Sequence, residues 1–162
     1  MRFEPCWLDD DEAEEHYKEI LADNIEHFYV GHSGRSCVWI DTVDETVAGI
    51  VHVNNYQPTY HTADLSGIFF DKRAFTRGNI AYIYHWIFVE LGVTRLNMAT
   101  QEHNKAARRI NTMMGATLDA ILPMYWGDEP MYLYGLLAPT ALKQLERFRR
   151  NEDARKEDDL VG

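Results

Sequence analysis

The sequence is short of cysteine, short of positive charge and free of long apolar runs, and each shortage narrows what the chain can be. Cys6 and Cys37 are its two cysteines in 162 residues, enough for one disulfide but not for a disulfide framework, and a domain of this size needs no such staple. They read as free thiols in a reducing compartment. Lysine and arginine number 16 against 26 aspartates and glutamates, a formal net charge of −10. A nonspecific nucleic-acid binder draws its affinity from basic side chains that neutralise phosphates, so the balance counts against that class and mildly favours a basic or neutral partner. No apolar run approaches the roughly 20 residues that span a bilayer. Met1-Arg2-Phe3-Glu4-Pro5 turns acidic by Asp9 instead of following the basic, apolar and small-residue order of a signal peptide. A cytoplasmic protein without membrane contact is expected.

Several chemical signatures are missing too. There is no His-Glu-x-x-His or paired-cysteine spacing, so no metal site is expected, and no Gly-x-Ser-x-Gly nucleophile elbow. Tyr82, Tyr84 and Trp86 lack the basic interleaving of a single-strand binder. Met98, Met113 and Met114 read as core filling. Neither an internal repeat nor a low-complexity linker occurs. What is present is a 46% hydrophobic and 12% aromatic composition, which argues for a folded globule with one core. The chain reads as one domain, residues 1–138, with a helical extension over 139–162.

Asp9-Asp10-Asp11-Glu12 caps a first helix, in which Ala13, Tyr17, Ile20, Leu21, Asn24 and Phe28 recur at helical spacing. Glu14, Glu15, Lys18 and Glu19 fall on its water face. Gly31 to Gly34 is a loop signal, followed by strands at 37–40 and 47–53 that read as an antiparallel hairpin. A third strand runs from His61 to Phe70, and a helix from Thr76 to Leu91 has no charge between Arg77 and Glu90, which marks it as a core element. Then come a strand at 94–99, a basic amphipathic helix from Asn104 to Met114 closed by Gly115, a hairpin of 117–125 with 131–137, and a helix over 140–159. Strand, helix, strand, helix argues for an α/β layer architecture with some parallel pairing. Arg77 to Ala81 and His103 to Ala107 each open a helix at the end of a strand. Helix starts present unpaired N–H groups that suit a phosphate.

Ala63-Asp64-Leu65-Ser66-Gly67-Ile68-Phe69-Phe70, Arg77-Gly78-Asn79-Ile80-Ala81, Phe88-Val89-Glu90-Leu91-Gly92-Val93-Thr94-Arg95-Leu96, Asn104-Lys105-Ala106-Ala107 and Met113-Met114-Gly115-Ala116 occur in that order. Together, over about residues 36–137, they resemble the GCN5-related N-acetyltransferase (GNAT) family. The branch most resembled acetylates ribosomal-protein N-termini. The resemblance implies an α/β (α+β) fold, with a mixed, mostly antiparallel sheet, splayed central parallel strands and helices on both faces. It also implies acetyl-CoA as cosubstrate and a primary amine as acceptor, on a protein N-terminus, a lysine or a small molecule.

Several residue roles follow from the same resemblance. The backbone of Ile68, Phe69 and Phe70 would receive the pantetheine like an added strand. The pyrophosphate would rest on the N–H groups of Arg77, Gly78, Asn79, Ile80 and Ala81, aided by the Arg73 or Arg77 charge. Asn104 matches the family asparagine on the cofactor arm, and Arg108 would reach a CoA phosphate. Asp64 stands at the position of the general base, with His61 or His52 sharing the task. Asn111 occupies the place where the family often has a tyrosine acid, and Tyr134 or Tyr132 would substitute. The family's phosphate loop has Gln or Arg, then Gly, then Gly or Ala, where this chain has Phe75, Gly78 and Ile80. These departures keep open an alternative: a GNAT-fold binding or structural protein with little catalysis, such as a bacteriophage accessory or virion protein, assembling through its C-terminal helix.

Overall fold

The structure is a computed structural model that describes residues 2–28 and 34–161, with side chains described through residue 151. The loop expected at Gly31 to Ser33 lies outside the described residues. Seven strands form one sheet in the order β1-β2-β3-β4-β5-β7-β6, with β1 Phe3–Trp7, β2 Gly34–Asp41, β3 Thr46–Gln57, β4 Thr62–Phe69, β5 Arg95–Gln101, β6 Thr117–Trp126 and β7 Glu129–Leu137. Every adjacent pair is antiparallel except β4 with β5. Four helices cover it: α1 Asp11–Asn24, α2 Arg77–Tyr84, α3 Lys105–Met113 and α4 Ala138–Val161. This is the mixed, mostly antiparallel sheet expected.

Helix α1 starts where the Asp10 carboxylate accepts from Ala13 N–H at 2.9 Å, and it lies over β2, β3 and β4. Leu21 is fully buried, as its spacing predicts, but Glu14 is buried as well, against the expectation that it meets water. The reason is a specific partner. Ser36 N–H and Oγ donate to the two Glu14 carboxylate oxygens at 2.6 and 2.8 Å, which replaces the water that the charge gives up.

The opposite face of the sheet carries the main core. Trp39, Val51, Val53, Leu96, Met98 and Leu136 pack there against Ile83, Tyr84 and Ile87. The sequence predicts one α-helix over 76–91; the structure has α2 and then a π-helical segment, His85–Glu90. The wider turn directs both Ile87 and Phe88 inward while Trp86 stacks on Trp7, ring centroids 3.9 Å apart. Strand β1 was not anticipated. Pro5 lacks an amide donor, and it is accommodated because β1 is the sheet's edge. The start of α4 docks against α2 and buries Ala141 and Leu145, and both cysteines are free, Cys6 exposed and Cys37 buried. No helix among the described residues is long and apolar enough to cross a membrane.

Candidate active site

The one parallel pair is also the shortest. Strands β4 and β5 are in register only at Thr62 with Arg95, Ala63 with Leu96 and Asp64 with Asn97. Strand β4 then runs on to Phe69 and β5 to Gln101 with no pairing between them, so the sheet is split from Leu65 onward. Asp71 N–H donates to Ala48 O of β3 at 3.0 Å. Backbone direction alternates along a strand, so Phe69 and Gly67 also face β3, while the polar groups of Ile68 and Phe70 face the split. A row of strand amides without a partner is what an extended amide-bearing chain pairs with.

Helix α2 begins at the open end of this split. Its start is capped from within: Thr76 Oγ1 accepts from Asn79 N–H at 3.2 Å, and Thr76 O accepts from Ile80 N–H at 3.0 Å. The Asn79 side chain turns inward and donates to Ala74 O at 2.7 Å, and Ile80 packs on the core. Of the five N–H groups assigned to a phosphate, Arg77 and Gly78 are therefore the pair without a hydrogen-bond partner among the described residues. Phe75 belongs to an aromatic row, with its ring 5.2 Å from Phe69 and Phe69 5.3 Å from Trp39. Arg73 is held by Asp71 at 2.6 Å, and this guanidinium pulls the Asp71 carboxyl down to about 2, while Arg77 is exposed.

At the closed end, Asp64 is the last residue of β4 paired with β5. Its carboxylate accepts from Asn55 Nδ2 at 2.8 Å and Asn97 Nδ2 at 3.0 Å. Behind it, Asn97 Oδ1 accepts from Arg95 Nε at 2.8 Å and Arg95 pairs with Asp119 at 2.7 Å. This pair crosses Gly135, where any side chain would collide with it. Neither histidine expected to assist Asp64 hydrogen-bonds to it among the described residues. His61 sits in the turn before β4 and its carbonyl accepts from Thr94 N–H at 2.7 Å, and His52 is enclosed beside Ser36 and Glu14. Asn55 and Asn97 are the partners that the sequence did not suggest.

On α3, the Asn104 side chain caps the helix by accepting from Ala107 N–H at 3.0 Å. Arg108 faces the sheet: its Nε donates to Tyr134 Oη at 3.3 Å, its Nη1 to Glu102 O at 3.0 Å, and its charge lies 4.3 Å from the centre of the Tyr132 ring. Tyr132 Oη donates to Glu102 at 3.0 Å. Asn111 is buried and donates to Thr100 Oγ1 at 3.0 Å. One cavity of about 290 Å³ lies between Gly34, Val53, Tyr56, Trp86 and Leu91, and another of about 360 Å³ lies between Lys105, Arg108, Arg109, Thr112 and Tyr134. No residue of β4 lines either hollow.

A seven-stranded mixed sheet, split at its single parallel pair and covered by helices on both faces, is the GNAT fold. A mutant form of the spermidine/spermine N-acetyltransferase SpeG from Vibrio cholerae has a similar structure, with a TM-score of 0.72 at 13% identity over 88% of this chain and 98% of that one. A dodecameric structure of spermidine N-acetyltransferase from Vibrio cholerae gives 0.69 at 13% identity over 85% and 94%. At these identities the likeness is one of fold. No family model matches the chain, and no curated protein is significantly similar to it in sequence.

Proposed function

We propose that the chain is an acetyl-CoA-dependent N-acetyltransferase acting on a primary amine. The observation that carries the reading is the split between β4 and β5, with free backbone groups along one side and the start of α2 at its open end. Ile68 and Phe70 pair with the amides of the pantetheine. Arg77 and Gly78 N–H, the positive end of α2 through Asn79, Ile80 and Ala81, and the Arg73 and Arg77 charges hold the pyrophosphate. Asn104 borders the cofactor arm.

Acetyl-CoA supplies a thioester whose carbonyl the amine nitrogen attacks, so that a C–N bond forms, the C–S bond breaks and the thiolate needs a proton. Asp64 accepts the amine proton through water. Its two amide donors, Asn55 and Asn97, fix the carboxylate at the point where the strands part. Tyr134 is the proton donor, its hydroxyl oriented by Arg108. The net charge of −10 suits a cationic acceptor. The neighbouring structures are of spermidine acetyltransferases, which makes a polyamine the first acceptor to try.

A second reading is favoured by Asn111. Its amide is committed to Thr100 and has no proton to give, which fits a GNAT-fold protein that binds or assembles without turnover. Thiol release from acetyl-CoA, measured with spermidine, a lysine peptide and a free N-terminal peptide, separates the two. Amine-dependent release is expected, and Asp64→Asn should flatten the low-pH limb of its rate profile. Absence of release with every amine supports the second reading, and an unchanged profile removes Asp64 as base.

A further inference from the structure

Four side chains that are far apart in sequence converge beyond the end of β5. Glu26 and His27 lie in the turn after α1, His103 in the connection from β5 to α3, and Glu129 at the start of β7. His27 Nε2 is 3.0 Å from a Glu129 carboxylate oxygen and 3.7 Å from one of Glu26, and His103 Nε2 is 3.4 Å from the other Glu26 oxygen. His103 Nδ1 is 3.9 Å from Glu129. One ligand atom each from Glu26, His27 and Glu129 fit within 4.8 Å of one another.

The electrostatics of the cluster is incomplete. Two carboxylates meet at one imidazole nitrogen, which has one proton at most to offer them. Among the described residues, neither Glu26 nor Glu129 pairs with a lysine or arginine. One Glu26 oxygen lies toward His27 and the other toward His103. Tetrahedral bonds of 2.0–2.1 Å call for neighbouring ligand atoms about 3.3 Å apart, so small side-chain rotations close Glu26, His27 and Glu129 around one ion, with His103 beside them as a fourth donor. The set is also held from behind. The His27 ring stacks on Trp126 with centroids 4.8 Å apart, and Gln101 Nε2 donates to Glu26 O at 2.9 Å.

We propose that Glu26, His27, His103 and Glu129 bind one divalent transition-metal ion. Mixed imidazole and carboxylate donors suit Zn²⁺ above the purely oxygen-seeking Ca²⁺ and Mg²⁺. The ion ties the end of α1, the approach to Asn104 and the β6–β7 turn together at the open end of the split, and it does so whether or not the chain acetylates amines. Sequence spacing gives no sign of it, because three separate segments supply the ligands.

Calorimetric titration of the metal-free full chain with ZnCl₂, repeated with CoCl₂ and read by visible absorption, tests the site. One ion per chain is expected, with a rise in melting temperature that a chelator reverses. Glu129→Gln and His27→Asn should each weaken binding on the order of tenfold or more. Asparagine suits the left-handed backbone of His27, φ 59°, so that variant keeps its turn. His103→Gln, at an exposed position, gives a further test that leaves the core untouched. Lack of saturation by about millimolar Zn²⁺, or equal binding by all three variants, overturns the proposal.

Discussion

His52 is fully enclosed, and its Nδ1 lies 2.9 Å from Ser36 Oγ, which in turn donates to Glu14 at 2.8 Å. Its Nε2 has no partner among the described residues and faces Gly34, where a Cβ would overlap the ring. Burial, with the Lys18 charge adding to it, pushes the imidazole down to about 4. The native state therefore keeps His52 neutral while the unfolded chain protonates it below the ordinary value. Stability from this group is complete above about pH 6.5, falls as the pH drops toward 4, and changes no further below that. The loss is of order 3 kcal/mol at most. Urea unfolding at a series of pH values should show the fall, and His52→Gln should flatten it; the same slope in the variant would contradict the assignment. Little of this was legible in the sequence. Helical spacing puts Glu14 toward water, and only the register of Ser36 opposite His52 reveals why it turns inward.

The start of α2 shows how far an element can be read in advance. Arg77 opens a helix as expected, and exposed backbone donors are there, but three of the five proposed are spent inside the helix, Asn79 and Ile80 on its cap and Ala81 on its first turn. The signal was present in Thr76, an N-cap residue three positions before Asn79. Thr76→Ala should lower stability by about 1 kcal/mol and loosen the loop that presents Arg77 and Gly78. A thermal melt measures the first effect, and an unaltered melting temperature would mean that the cap contributes nothing. The π-helical turn and β1 were illegible for physical reasons. A π-turn adds a residue to a helix without changing the apolar pattern on either side, and a short edge strand with a proline at its centre carries the composition of a loop.

At the scale of the whole molecule, the order of strands and helices after β1 was legible, because each segment is bounded by its own caps and turns, while the mixed, mostly antiparallel sheet was implied by the family resemblance. The split between β4 and β5 came from the family resemblance, since pairing between strands distant in sequence leaves no local mark. The Glu26, His27, His103 and Glu129 cluster had no equivalent guide. The split and the start of α2 are proposed to form a cosubstrate site. Calorimetric titration with acetyl-CoA, on the native chain and on Gly78→Pro, tests it most directly. Gly78 has an ordinary helical backbone near the first turn of α2, so proline removes one of the two free N–H groups while a melting curve confirms the fold. One acetyl-CoA bound per chain is expected, with a loss on the order of tenfold in Gly78→Pro, as for the removal of a charge-assisted hydrogen bond. No binding at near-millimolar acetyl-CoA, or equal affinity in the variant, would contradict it.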